Sequence, residues 1–380
     1  MSDPTNQDSL RNITKSINHF SSKFYQILAE NEKKNIICSP ISVSLVLSMV
    51  TFGARNNTKN ELKKILQLPA NDTINKNGFQ LLIDSLNNYK MVQLNLANKI
   101  FIRHGFELKS EFKLITESSF KSTTENVDFN DNVLASRTIN TWCEEKTNNH
   151  IKDLIKPGDV DASTALVMVN AVYFKGSWAN QFNPEYTRMR DFNVDENTTK
   201  QVPMMFRNGL YNNGILEELD ASYLELPYKS NDETDALSMF IILPNEINGL
   251  KKIEDNFHKV DFSKLNSSEY SMDLILPKFK FESSFDLGDV MKKMGIEDAF
   301  KDNADFSGIS DSPLKVSKII QKAFIEVNEV GTEAAAVTGI QIMLMCMPPR
   351  FSVDRPFLAA IVAKNTNTCL FTTRIMDPSL

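Results

Sequence analysis

The chain is expected to fold as a mixed α+β protein with one large core, and three observations carry that expectation. Apolar residues recur at helical spacing near the N-terminus, where Leu10, Ile13, Ile17, Phe20, Phe24 and Ile27 line one face. Runs of apolar and β-branched residues follow, such as Ala165-Leu-Val-Met-Val-Asn-Ala-Val-Tyr-Phe174, which suits a central strand covered on both faces. Across all 380 residues there is no Gly/Ser linker, Pro-rich tract or internal repeat, so a single domain over 1–380 is the simplest organisation.

In chain order, the amphipathic first helix is followed by Asn35-Ile-Ile-Cys-Ser-Pro-Ile-Ser-Val-Ser44 and an apolar helix. The whole stretch from Ile36 to Ala54 is broken by Pro40 and several serines, so it reads as a core helix and not as a membrane span. Thr58 with Glu61 three residues later predicts a capping box on a further helix. Leu94 to Arg103 alternates as a strand, and Arg137 to Ile155 is expected to be helical around Trp142. Glu225 to Lys229 and Leu237 to Pro244 are expected to pair as strands, with Asp273 to Phe281 as another. Helical spacing returns at Leu287, Met291 and Met294. Ala323, Ile325 and Val327 mark the parity of a strand from Leu314 to Asn328.

That strand runs into Glu329-Val-Gly-Thr-Glu-Ala-Ala-Ala-Val-Thr-Gly-Ile-Gln-Ile-Met-Leu-Met-Cys-Met-Pro-Pro349, a segment that looks built to become a strand. On propensity alone, Glu-Ala-Ala-Ala also allows a short helix. The downstream half argues against one: Thr338, Ile340 and Ile342 are β-branched, Gly339 interrupts the run and two prolines close it. Taken with period two, Thr332, Ala334, Ala336, Thr338, Ile340 and Ile342 share a face without a charge, and Glu333 falls on the other face. Burying an unpaired charge costs several kcal/mol, so this parity suits a segment that enters the middle of a sheet.

Composition narrows the partner classes. A net charge of -6 and a pI near 5.5 argue against general affinity for nucleic acid or acidic membranes. Lys33-Lys34, Lys63-Lys64, Lys251-Lys252 and Lys292-Lys293 are scattered pairs expected on solvated faces, so no heparin-like polyanion site is indicated. The opening Met1-Ser-Asp-Pro-Thr-Asn-Gln-Asp has neither the basic start nor the apolar core of a secretory signal. Two readings remain: residence in the cytoplasm, or secretion with a signal already removed. Cys38, Cys143, Cys346 and Cys369 are widely spaced, make no metal-ligand pattern and are expected as free thiols in a reducing compartment. Sequons at Asn12, Asn56, Asn71, Asn197 and Asn266 pull toward secretion, but a chain rich in Asn and Thr produces them by chance.

No enzyme site emerges from the residues. His19, His104, His150 and His258 are scattered and polar-flanked, as surface residues are. There is no nucleophile elbow, phosphate loop, dinucleotide fingerprint or zinc-protease motif, and no cofactor or metal is expected.

The segment from Glu329 onward resembles the hinge and reactive-centre loop of the serpins, protein inhibitors of proteases that act as suicide substrates. Asn35 to Leu68 resembles the N-terminal helices of that family, and Asn170 to Trp178 a central-strand signature. Ala304-Asp-Phe-Ser-Gly-Ile309 matches a family loop, and Phe351 to Ile361 with Cys369 to Pro378 resemble its closing strands. The resemblance covers about Leu10 to Pro378. It implies the serpin fold, with three β-sheets, about eight to nine helices and an exposed reactive-centre loop over 329–350. It also implies a polar shutter of Ser39, Ser42, Asn170 and Gln321, with Trp178 at the top of the sheet where insertion begins. Lys278 would be the partner that holds Glu329. The hinge would comprise Glu329, Gly331, Thr332, Ala334, Ala335 and Ala336. The family usually carries a histidine where this chain has Gln321. Glutamine is neutral and offers donor and acceptor, so the network can be rebuilt without a pH-linked group.

The function implied is that of a monomeric inhibitor whose partner is an endopeptidase. In the family's usual spacing the scissile residue lies sixteen positions after the hinge glutamate, which places the reactive bond at Met345–Cys346. Leu344–Met345 and Cys346–Met347 are alternatives, and Met343, Leu344 and Met347 would shape specificity. Met345 suits elastase- or chymotrypsin-like serine proteases. Leu344 is what papain-like cysteine proteases prefer, so both classes remain open. A non-inhibitory carrier, chaperone or storage serpin is the other reading, which the uncharged hinge disfavours.

Overall fold

The computed structural model describes residues 6–30, 32–265, 269–331 and 348–380. Helix α1 (Asn6–Glu30) buries Ile13, Ile17, Phe20, Phe24 and Leu28, the face that their spacing defines. The long apolar stretch divides into β1 (Ile36–Cys38) and α2 (Pro40–Gly53), with Pro40 in the first turn, where its missing N–H costs nothing. Every residue of α2 is buried, so the helix runs through the core. Then follow α3 (Asn56–Leu66), α4 (Asp72–Asn87), β2 (Val92–Arg103), α5 (Ser110–Phe120), β3 (Thr124–Val127), α6 (Asn132–Lys146) and β4 (Leu166–Gly176). The middle of the chain forms β5 (Arg188–Asp195), β6 (Thr198–Leu216), β7 (Ala221–Pro227), β8 (Leu237–Pro244) and α7 (Leu250–Asp255). After it come β9 (Glu269–Pro277), β10 (Phe279–Asp286), α8 (Gly288–Met294), β11 (Val316–Val327), β12 (Arg350–Ser352), β13 (Phe357–Ala363) and β14 (Thr368–Ile375). Among the described residues there are thus eight α-helices.

Five strands form one sheet in the order β10-β11-β4-β2-β3, and nine form a second ladder, β1-β14-β13-β8-β7-β6-β9-β12 with β5 beside β6. Strand β6 pairs along its length with three strands: Thr198–Met204 with β5, Met204–Asn212 with β9, and Asn213–Leu216 with β7. Counted by blade, the strands therefore make three sheets, two of them sharing β6. Within the five-stranded sheet β4 is central, parallel to β11 and antiparallel to β2. It is buried on both faces apart from Lys175, as its continuous apolar sequence requires. One face packs on α2, and the other lies under α6, where Ile139 and Cys143 join Phe101, Val167, Val169 and Ile320 in a separate apolar cluster.

Three local expectations are corrected. The helix around Trp142 ends at Lys146, short of Ile155. Thr147 stops it by donating Oγ1–H to the Cys143 carbonyl at 2.7 Å and accepting from Ile151 N at 3.2 Å, and Asn148 and Asn149 take positive φ. Ile151, Leu154 and Ile155 are buried, but in a connecting segment whose spacing imitates a helix. Thr58 and Glu61 form no capping box, because α3 starts at Asn56. Thr58 donates to Asp298 and accepts from Asp305 N, and Glu61 accepts from the N–H groups of Glu297 and Asp298, so both residues tie α3 to a distant loop. The strand expected from Asp273 to Phe281 is split at Lys278 into β9 and β10, which belong to different sheets. The four histidines are exposed, and Cys38, Cys143 and Cys369 are buried free thiols; Cys346 lies outside the described residues. Of the sequons, Asn12, Asn56, Asn71 and Asn197 are exposed, and Asn266 lies outside the described residues.

Candidate functional site: the hinge junction and its polar row

The site is built where β11 leaves the sheet. Above its last residue, Val327, the chain turns through Asn328 and Gly331, whose main chains bond each other in both directions at 3.0 and 3.2 Å. Asn328 Oδ1 accepts from Val330 N at 3.1 Å and closes the turn. The segment after β4 clasps it from the other side. Trp178 N donates to the Val330 carbonyl and Phe182 N to the Glu329 carbonyl, each at 2.8 Å, and the Trp178 indole N–H donates to Asn328 O at 3.0 Å. The Trp178 ring is buried and stacks on Tyr228 at 4.6 Å.

Gly331 cannot carry a side chain here. It has φ +138°, and a Cβ would lie 2.3 Å from the Gly176 carbonyl oxygen and 2.6 Å from Ser177 Cα, both rigid backbone atoms. The Glu329 carboxylate, with 7% of the residue exposed, receives Lys278 Nζ at 2.8 and 3.0 Å and Thr187 Oγ1–H at 2.7 Å. Burial pushes its pKa up, but the bonds from Lys278 and Thr187 outweigh this and hold it below the usual range. Lys278 is free to reach Glu329 because it sits at the break between β9 and β10.

Deeper in the same sheet runs a polar row across three strands. Gln321 and Asn170 are register partners on β11 and β4, and Asn98 is the partner of Asn170 on β2. Gln321 Nε2 donates to Asn170 Oδ1 at 2.5 Å and to the Ser39 carbonyl at 2.9 Å, while its Oε1 accepts from Ser39 N at 3.1 Å. Asn170 Nδ2 donates to Ser42 Oγ at 2.5 Å and to Asn98 Oδ1, which also accepts from Ser42 Oγ–H at 2.8 Å. Ser39 Oγ–H donates to the Leu370 carbonyl at 2.8 Å, which extends the row into β14. Ser39, Ser42, Asn170 and Gln321 are fully buried, so these bonds carry the full cost of being broken. Both donor and acceptor of the Gln321 amide are used.

The structure thus brings Ser39, Ser42, Asn170 and Gln321 together, and Trp178 and Lys278 with Glu329 and Gly331. Thr332, Ala334, Ala335, Ala336, Met343, Leu344, Met345, Cys346 and Met347 lie outside the described residues. Asn98 and Thr187 join the site without a signal in the sequence. Asn98 looked like any polar residue in an alternating strand, and only its register with Asn170 gives it away; nothing local marks Thr187. Among the described residues no cluster of His, Cys, Asp and Glu is placed to hold a metal.

Comparison with known proteins covers nearly the whole chain. A family profile described as Serpin (serine protease inhibitor) matches residues 15–378. The protein Iris of Ixodes ricinus is 40% identical over 372 residues, spanning 94% of this chain and 97% of its own. Among solved structures, Serpin48 of the insect Tenebrio molitor, described as highly specific, matches with TM-score 0.87 and 32% identity over 96% of this chain and 98% of its own. Human thyroxine-binding globulin, in complex with thyroxine, matches with TM-score 0.87 and 31% identity over 97% of this chain and 99% of its own. From the first apolar helix to the closing strands, this chain belongs to the serpin family.

Proposed function

We propose that this protein is an inhibitory serpin, a single domain that traps a target endopeptidase as a covalent acyl-enzyme. The observation that carries the reading joins sheet to sequence. Strands β4 and β11 are parallel neighbours, and β11 leads directly into a segment whose period-two face, Thr332 to Ile342, carries no charge. A strand that folds back between the two would run antiparallel to both and present small or apolar groups to the core.

In this reading the protease attacks the loop and releases the C-terminal side as it forms an ester or thioester with the scissile residue. The cut loop then enters the sheet and carries the protease with it before water can release it. New backbone bonds worth about 0.5–1.5 kcal/mol each, over roughly ten to fifteen residues, give a drive on the order of 10 kcal/mol. That is comparable to the stability of a whole domain, so the uncut fold is a kinetically trapped state. Ser39, Ser42, Asn170 and Gln321 act as the shutter that insertion must part, and Trp178, Lys278 and Glu329 hold the entry point. Met345–Cys346 is the reactive bond, and an elastase- or chymotrypsin-like serine protease is the target, with papain-like cysteine proteases as the second class. Buried, unpaired Cys38, Cys143 and Cys369 support residence in a reducing compartment.

The test is incubation with elastase, chymotrypsin, subtilisin and cathepsins, followed by denaturing electrophoresis and mass spectrometry of the released C-terminal peptide. A denaturation-stable complex and a peptide beginning at Cys346 are expected. Cleavage without any complex, across the panel, would overturn inhibition and favour the non-inhibitory reading, a carrier, chaperone or storage serpin.

A further inference from the structure

The ladder between β4 and β11 does not reach the ends of both strands. Its last registered pair is Tyr173–Phe324. Beyond it, the described residues of the two sides rejoin at the hinge, through the Ser177–Gly331 bridge and the bonds from Trp178 and Phe182. Tyr173–Phe324 is therefore a fork, and a strand that enters from the hinge meets this pair first.

His150 lies over the fork. Its ring stacks on Tyr173 at 4.1 Å and 12°, and leans on Phe324 at 6.1 Å and 34°. The residue belongs to the connection from α6 to β4, which is rooted on the β2–β4 side. There Ile151, Leu154 and Ile155 pack with Phe101, Val167 and Val169, and Asn140 bonds both main-chain groups of Ile155. The same connection reaches across the seam to β11 at two further points: Lys322 Nζ donates to the Lys152 carbonyl at 2.9 Å, and Lys318 pairs with Asp159 at 3.0 Å.

We propose that His150 is a positioning residue for loop insertion: its ring clips the first strand pair that an incoming strand must separate, and so sets how fast β4 and β11 part. The proposal rests on the insertion reading above. The stack on Tyr173 holds the ring on the β4 side, so the contact that must break is the one with Phe324 on β11; it breaks before the new strand has formed its hydrogen bonds, and its contribution falls on the barrier and not on the product. Because His150 is exposed, removing its ring leaves the buried clusters intact.

The test compares His150→Ala and His150→Gln, which lose the ring, with His150→Phe, which keeps one. The primary readout is uptake of a synthetic peptide with the sequence Thr332–Met345, followed as the gain in thermal stability that it produces. An aromatic contact of the usual strength between His150 and Phe324 predicts uptake about two- to twelve-fold faster in the Ala and Gln variants, and within twofold of the parent in the Phe variant. With an inhibited protease, the association rate should be unchanged while fewer inhibitor molecules are consumed per protease. Parental uptake rates in both ringless variants, or uptake as fast in His150→Phe as in His150→Ala, would overturn the proposal. Peptide uptake needs no protease. Accelerated uptake without any protease complex would therefore sink the inhibitor reading and leave the clip standing.

Discussion

Gln321→Leu tests the polar row most sharply. Leucine has nearly the volume of glutamine, so the substitution removes hydrogen bonds with little change in packing. Gln321 is the partner seen for Ser39 N–H and for Asn170 Oδ1, and both groups are fully buried. The Ser39 carbonyl also accepts from Val43 N at 3.3 Å and is not orphaned. Two stranded polar groups at about 1–3 kcal/mol each cost about 2–6 kcal/mol, a large share of a typical domain's stability. If separating β4 from β11 already breaks Gln321–Asn170 at the barrier to insertion, losing that bond lowers native stability without raising the barrier's own level. The stranded Ser39 N–H weighs on native state and barrier alike, so the Asn170 share of about 1–3 kcal/mol sets the rate, and spontaneous conversion to a loop-inserted form should accelerate by at least about fivefold at constant temperature. The assay follows the fraction that resists urea with time, beside the thermal midpoint of freshly purified protein. A variant within twofold of the parental conversion rate and with an unchanged midpoint would refute the reasoning.

Three other expectations follow from the same contacts. Thr332→Arg places a charge on the inserting face and should turn the protein from inhibitor into substrate, seen as cleaved chain without a denaturation-stable complex. Glu329, held low by Lys278 and Thr187, stabilises the hinge fully above the ordinary carboxyl range near about 4.3, and that contribution is lost as pH falls through its lower folded value. The thermal-midpoint gap between the parent and Lys278→Met should thus be full at pH 6 and close as the pH drops below about 4. Arg374 donates to Glu254 at 3.1 Å in a buried pair that Tyr25 completes at 2.7 Å. Arg374→Met leaves Glu254 uncompensated and should cost about 3–5 kcal/mol in denaturant titration.

Much of this architecture was legible because the informative patterns are periodic. The α1 stripe and the continuous β4 run depend on spacing and burial alone, and both appear where the spacing puts them. Tertiary demands override local signals elsewhere. Thr58 and Glu61 have capping chemistry, yet a loop near residue 300 claims their side chains. Ile151 to Ile155 imitates a helical face because a connection pinned to the sheet must also bury apolar groups. At the site, Ser39, Ser42, Asn170 and Gln321 were recognisable by family resemblance, while Asn98 and Thr187 depend on strand register and on the clasp around Glu329. His150 is the sharpest case: polar-flanked and exposed, it looks like any surface histidine until the stack on Tyr173 is seen.

The central claim is that the sheet accepts the loop as a strand, and it can be tested without knowing the target. A protease that nicks the chain once within residues 332–347 leaves the rest of the fold intact, and the thermal midpoint is measured before and after the cut. Insertion predicts a large rise, because roughly ten or more new backbone hydrogen bonds form in the cut protein. An unchanged or lower midpoint, with cleavage complete by mass spectrometry, would contradict the account.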